Sequence, residues 1–209
     1  MWRVIVPMKP WDNGKARLDV APALRARYAE AMAVDTLMAI NGCPVVDCVV
    51  ALTTSEPAPA SPVSDLSDQV LVQPATMDLN EALTWAYDQQ SSAPSGTAVV
   101  VADLPALRSD ELTAALTAAT GHRLSMVTDR GGSGTTALAV TGGSTLAARF
   151  GPESAARHRE SGAVCLDRLL DADALAGLRC DVDTLADLRV ATDLGLGKNT
   201  ADAGLGSPP

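Results

Sequence analysis

The stretch that most constrains this chain is residues 97–107, TAVVVADLPAL. Residues 98–102 form an unbroken apolar run that stops abruptly at Asp103. Such a run, bounded by a breaker, is the pattern of a strand buried on both faces, central in a parallel sheet. Pro105 prevents the strand from continuing and holds Leu104 extended. Asp103 therefore falls at the carboxyl end of a central strand, the edge where open α/β sheets bind ligands. A carboxylate there is costly to desolvate unless positive charge faces it. A divalent cation meets that need in an acidic chain; the alternative is an Asp that caps the following helix.

The rest of the chain alternates around this strand. Residues 2–8 read as a first strand. Lys9, Lys15 and Arg17 then sit in a loop with Gly14, the general layout of a phosphate cradle without the Walker A spacing. Basic groups in a loop also fit a solvated surface. An apolar stripe predicts a helix over 22–40, ended by Gly42 and Pro44. Strands follow at 45–52 and 69–72, separated by a Pro-rich surface loop at 56–62. Asp78 is placed to cap a helix reaching about residue 90, and residues 91–96 lead into the central strand. Ser109 is placed to cap a helix to about 120. Strands are expected at 124–128 and 135–140, joined by the glycine-rich loop 129–134. A helix with Pro152 in its first turn is expected over 150–159, then short strands at 163–166 and 178–183. Thr184 caps a final helix to 194. The alternation predicts a single α/β domain over 1–194, Rossmann-like, with a largely parallel sheet flanked by helices. Residues 195–209 are rich in Gly, Pro and small residues and read as a flexible tail.

Composition excludes several classes. The net charge of −9 leaves no excess positive surface for nucleic acid. No apolar run reaches the length of a membrane span. The amino terminus carries no basic-then-apolar leader, and Cys43, Cys48, Cys165 and Cys180 show no CxxC spacing. We therefore expect a cytoplasmic protein with reduced thiols. Two His residues make a structural zinc site unexpected.

Asp181 and Asp183 lie two apart on an expected strand, so both side chains leave on one face. Together with Asp103 they could supply carboxylates to one or two magnesium ions, which prefer a few carboxylates plus water and phosphate oxygens. Three Asp facing Lys9, Lys15 and Arg17 suit in-line displacement at phosphorus. The plainer reading of Asp181 and Asp183 is a turn and a helix cap.

These segments carry a resemblance. VPMKPWDNGKARL, LNEAL, VVADLPAL, GTTALAV, FGPESAARH and DVDTLADL occur in that order over residues 4–188. In this the chain resembles the FbiD/CofC family, the phosphoenolpyruvate or 2-phospho-L-lactate guanylyltransferases of coenzyme F-420 biosynthesis. The family belongs to the nucleotide-diphospho-sugar transferase (MobA-like) type of fold. The resemblance implies GTP and phosphoenolpyruvate as substrates and Mg2+ as cofactor. It implies that Lys15 and Arg17 hold the triphosphate with Lys9 assisting, that Asn80 lies near the base or ribose, and that Asp103, Asp181 and Asp183 hold metal. Lys15 and Asp103 would carry the chemistry. The acceptor would meet Thr136, Gly151 and Ser154, with Arg157 and His158 one turn further on. The pair Thr135-Thr136 leaves that register open by one residue. The acceptor itself stays open between phosphoenolpyruvate, 2-phospho-L-lactate and 3-phosphoglycerate. A molybdopterin or sugar nucleotidyltransferase and a non-catalytic GTP-binding accessory subunit are the other readings. Hand-off to the next transferase and a homodimer are also open.

Overall fold

The computed structural model describes residues 1–11, 15, 17–56, 61–90 and 95–205. The central residues of the expected loops at 9–18, 56–62 and 91–96 lie outside that set, as do residues 206–209. The described strands are β1 (Trp2–Pro7), β2 (Val46–Thr53), β3 (Gln69–Val72), β4 (Gly96–Val100), β5 (Leu124–Thr128), β6 (Thr135–Thr141) and β7 (Val164–Cys165). They form one sheet in the order β3-β2-β1-β4-β6-β5-β7. All neighbours are parallel except those of β6, which runs antiparallel to both β4 and β5. The β5–β6 hairpin is tight because the Asp129 carboxylate accepts the Ser133 and Gly134 N–H groups, each at 2.9 Å.

The helices are α1 (Pro22–Asn41), α2 (Pro62–Asp65), α3 (Leu79–Asp88), α4 (Ser109–Ala119), α5 (Ser154–Glu160), α6 (Leu185–Leu194) and α7 (Lys198–Leu205). They cover both faces of the sheet, so the central strands carry apolar side chains on both faces. Val4, Val6, Ala98 and Val100 pack with Leu37 and Ile40 of α1 and Leu112 and Leu116 of α4. Ile5, Val50 and Val99 point the other way, onto Leu83 and Ala86 of α3 and Ala155 of α5. No described helix is long and apolar enough to cross a membrane.

The structure departs from the sequence reading in four places. The expected strand at 178–183 does not form. Cys180 and Val182 are buried and Asp181 and Asp183 are not, which keeps the period of a strand. However, β4 is already paired on both sides by β1 and β6, so no ladder is left to join. Ser109 is the first residue of α4 rather than its cap, and its hydroxyl donates to the Ala39 carbonyl at 2.8 Å. The helix expected over 150–159 starts only at Ser154, because Gly151 and Glu153 take left-handed conformations. The supposed tail is ordered over Lys198–Leu205, where α7 packs on α1. The buried Asp35 carboxylate accepts the backbone N–H groups of Asn199 (3.1 Å) and Thr200 (2.7 Å). This anchor comes from a residue far back in the chain, and the small residues that read as flexibility make room for it. A Cβ at Gly197 would collide with the Asp35 carboxyl group.

Candidate active site

The carboxyl ends of β1, β2, β3 and β4 meet at one edge of the sheet. Because β6 runs the other way, its amino end reaches the same edge. Between them lies a cavity of about 360 Å³, walled by Lys9, Lys15, Gln73, Leu79, Asp103, Thr135, Asp181 and Asp183. A second hollow of about 370 Å³ adjoins it and shares Met8, Lys9, Trp11 and Thr54.

Local contacts bring the three Asp together. Asp103 lies three residues beyond β4, in a turn held by the Leu104 N–H donating to the buried Thr36 hydroxyl at 3.1 Å. The Val182 N–H donates to the Asp103 carbonyl at 3.0 Å, so Asp181 and Asp183 flank that turn. The approach to them is fixed by Glu111 of α4, whose carboxylate accepts the Gly177 N–H at 2.9 Å and the Leu178 N–H at 3.0 Å. After Asp183 the chain enters α6, where the Thr184 hydroxyl accepts the Asp187 N–H, as the sequence predicts for a cap.

Lys15 completes the group. It is a non-glycine residue in the left-handed region, with φ 57°. Its backbone strain, of order 1–3 kcal/mol, is the kind that persists where surrounding contacts over-determine it. Its nearly buried ammonium bonds to Asp103 and, at 3.0 Å, to Asp183. Burial works against the Lys15 charge, but Asp103 and Asp183 outweigh it and hold the pKa above the usual lysine value. Burial also opposes the Asp183 charge, yet Lys15, Arg17 and Lys9 prevail and keep its carboxyl below the usual range. Asp181 is the opposite case. Burial, followed by repulsion from Asp103, Asp183 and Asp129, pushes its pKa up to about 7. Arg17 is mostly exposed and pairs with Asp183 from outside.

The expected metal ligands therefore converge, but with a cation already among them. Among the described residues no three His, Cys, Asp or Glu side chains are grouped to hold a metal ion by themselves. Asp103 Oδ1 is buried and has no hydrogen-bond partner among the described residues. A buried acceptor left unpaired is costly. A partial set of hard oxygen donors fits magnesium, which completes its shell with water and phosphate oxygens.

The other expected contacts fall differently. Lys9 lines the cavity. Asn80 does not; its side-chain amide accepts the Phe150 N–H at 2.7 Å and donates to the Phe150 carbonyl at 3.2 Å. It ties α3 to the 150–154 segment. Thr135 is on the cavity wall, whereas the Thr136 hydroxyl lies 3.5 Å from the Val127 carbonyl. A bulge between Val127 and Thr128 separates the two threonines. Gly151 is exposed and Ser154 buried, and neither lines the cavity; the Ser154 N–H donates to the Gly151 carbonyl at 3.1 Å. The sequence reading passed over Gln73, Leu79 and the anchor Glu111. Gln73 directly follows β3, so the strand-end rule that marks Asp103 marks it too. Glu111 carries no local signal, since its partners are 66 and 67 residues away.

The model of the family described as guanylyl transferase CofC like matches residues 2–191, nearly the whole described chain. The chain belongs to that family. Among its relatives, a phosphoenolpyruvate guanylyltransferase from Thermomonospora curvata is 40% identical over 203 residues, covering 96% of this chain and 87% of the relative. One of the same name from Mycobacterium marinum is 40% identical over 206 residues, covering 95% and 91%. Among solved structures, a protein of Desulfovibrio desulfuricans G20 described as a nucleotide-diphospho-sugar transferase superposes with a TM-score of 0.63. It is 14% identical and covers 92% of this chain and 96% of its own. That likeness concerns the fold, which is of the nucleotide-diphospho-sugar transferase type. In this CofC-like chain the strand-end cavity combines carboxylates, an inserted ammonium and a hydroxyl-bearing wall. That combination suits the transfer of a nucleotidyl group between two anions.

Proposed function

We propose that this CofC-like guanylyltransferase joins GTP to phosphoenolpyruvate, giving enolpyruvyl-diphospho-guanosine and pyrophosphate, in coenzyme F-420 biosynthesis. The observation that carries the reading is the convergence of Lys15, Asp103, Asp181 and Asp183 on one strand-end cavity, in a chain whose relatives at 40% identity bear that name.

In this reading a phosphate oxygen of phosphoenolpyruvate attacks the α-phosphorus of GTP. A new P–O bond forms, the bond from the α-phosphorus to its bridging oxygen breaks, and pyrophosphate leaves. The attacking oxygen is already anionic, so no general base is required. Lys15 and Lys9 neutralise triphosphate oxygens, and Arg17 closes the outer side. Asp103, whose Oδ1 has no partner among the described residues, and Asp181 and Asp183 would hold Mg2+, which would supply charge neutralisation on the phosphoryl oxygens. Entry of the triphosphate gives Lys15 a new anionic partner and frees carboxylate oxygens for the cation.

The test is pyrophosphate release from GTP with phosphoenolpyruvate, 2-phospho-L-lactate or 3-phosphoglycerate, with and without magnesium. Release with phosphoenolpyruvate that stops on chelation supports the reading. GTP binding without release for any acceptor overturns it in favour of a binding subunit.

A further inference from the structure

We propose that His158 is a positioning residue for the acceptor. It holds the Thr135 hydroxyl so that its only proton is directed into the cavity, as a donor to an anionic oxygen.

The argument starts from the two ring nitrogens. His158, on α5, is fully buried. The Arg149 backbone N–H donates to its Nε2 at 2.9 Å. A nitrogen that accepts a hydrogen bond carries no proton, so a neutral ring bears its proton on Nδ1. Nδ1 lies 2.9 Å from the Thr135 Oγ1, and the Nδ1–H therefore donates to it. The charged groups facing the ring are Arg157 on its own helix and Arg149 on the preceding segment, and the Phe150 ring meets it edge-on at 5.2 Å. Burial, then those two cations, lowers its pKa to about 4, so the ring is neutral at neutral pH.

The consequence falls on Thr135. A hydroxyl has one proton to donate. Its oxygen already accepts from His158, and among the described residues it has no other partner. Thr135 stands on the cavity wall with Lys15, Asp103 and Asp181. It is on the α5 side: the neighbouring Ala155 N–H donates to the Ser133 carbonyl at 3.0 Å. It thus lies on the opposite side of β4 from the basic loop after β1. The free donor direction therefore meets the second anion of the reaction, a small phosphorylated carboxylic acid. This rests on the reading of the cavity as a site for GTP and such an acceptor.

The first experiment uses the wild-type protein. The chain has two His, so 15N-histidine labelling gives two ring spin systems, and a His122→Gln variant assigns them. The expected result is a His158 ring protonated at Nδ1 and bare at Nε2. A proton on Nε2 overturns the proposal. The second experiment measures KM for phosphoenolpyruvate and for GTP by pyrophosphate release. Thr135→Val and His158→Gln should each raise the acceptor KM by roughly 10- to 100-fold, the loss of one hydrogen bond to a charged group, and leave the GTP KM unchanged. Thr135→Ser and His158→Asn, whose amide replaces the Nδ1–H, should recover most of it. In the double variant the two losses should not add, because both remove the same donor. Equal rises for both substrates, or additive losses, would show a merely structural histidine. Silence of the wild type with every acceptor would overturn the functional reading instead. The ring tautomer would still be decided.

Discussion

The cavity has two walls of different construction. On one side Lys15 stands between Asp103 and Asp183, with Asp181 crowded behind. On the other, Arg149, His158 and Thr135 form a neutral chain of hydrogen bonds with every orientation set by its neighbour. An anionic substrate entering at the first wall competes with carboxylates for the ammonium. At the second it meets a donor already aimed. The charged wall must rearrange to work and the neutral wall need not. In the proposed function, chemistry depends on the first and acceptor placement on the second.

The largest expected effect comes from breaking the charged wall. Asp103→Asn should lower kcat for pyrophosphate release about 1,000-fold, the scale on which organised charge at a phosphoryl centre acts. It should also lower the thermal midpoint, since the nearly buried Lys15 ammonium loses the charge of one of its two carboxylate partners. Activity within tenfold of wild type would place the chemistry elsewhere. Lys15→Met comes next, with roughly 100-fold lost from kcat/KM, since charge-assisted bonds to a triphosphate are each worth ~1.5–3 kcal/mol. If the loss appears at the acceptor rather than at GTP, the two walls have been assigned the wrong way round.

Asn80 tests the boundary between the walls. The sequence reading puts it at the base or ribose; the structure spends both ends of its amide on the Phe150 backbone. Asn80→Ala leaves the Phe150 N–H without its partner, leaves the Phe150 carbonyl to Arg157 alone, and loosens the segment that carries Arg149 and His158. We expect roughly a tenfold rise in the acceptor KM, an unchanged GTP KM, and a loss of about 1–2 kcal/mol in stability, read by denaturant unfolding. A rise confined to GTP would restore the nucleotide contact.

The same contrast explains what could be read in advance. The charged wall was legible because its parts obey local rules. Asp103 ends a buried run at a proline, Asp181 and Asp183 keep a strand period, and Lys15 follows a first strand. Even where the strand at 178–183 failed for want of a free sheet edge, the alternation still put both carboxylates on one side. The neutral wall obeys no local rule. The bond between His158 and Thr135 spans 23 residues and the Asn80 clamp spans 70; on the charged side only the Glu111 anchor, which reaches 66, was equally hidden. Each residue could satisfy its polar groups in many ways, and only the packed fold chooses among them. The bulge at Val127–Thr128, which separates Thr135 from Thr136, is equally a product of pairing between strands.

The smallest expected effect is on stability against pH in the metal-free protein, and it sets the two walls against each other. His158 has its pKa lowered from 6.5 to about 4 in the fold. Between those values the unfolded chain binds more protons, so this group stabilises fully above about 6.5 and its contribution is lost as pH falls through 4. Asp181 has its pKa raised from 3.8 to about 7. Over nearly the same window the folded chain binds more protons, so its contribution is complete below 3.8 and is lost as pH rises through 7. The slopes oppose, and from these two groups the wild-type thermal midpoint should change little between pH 4.5 and 6.5. Asp181→Asn removes one slope, and the midpoint should then fall with acid. His158→Gln removes the other, and it should then rise with acid. Thermal melts across that window read both. Two variants with parallel slopes would mean that the carboxylates and the imidazole do not titrate as separate walls. The division between a charged side that rearranges and a neutral side that waits would then have to be withdrawn.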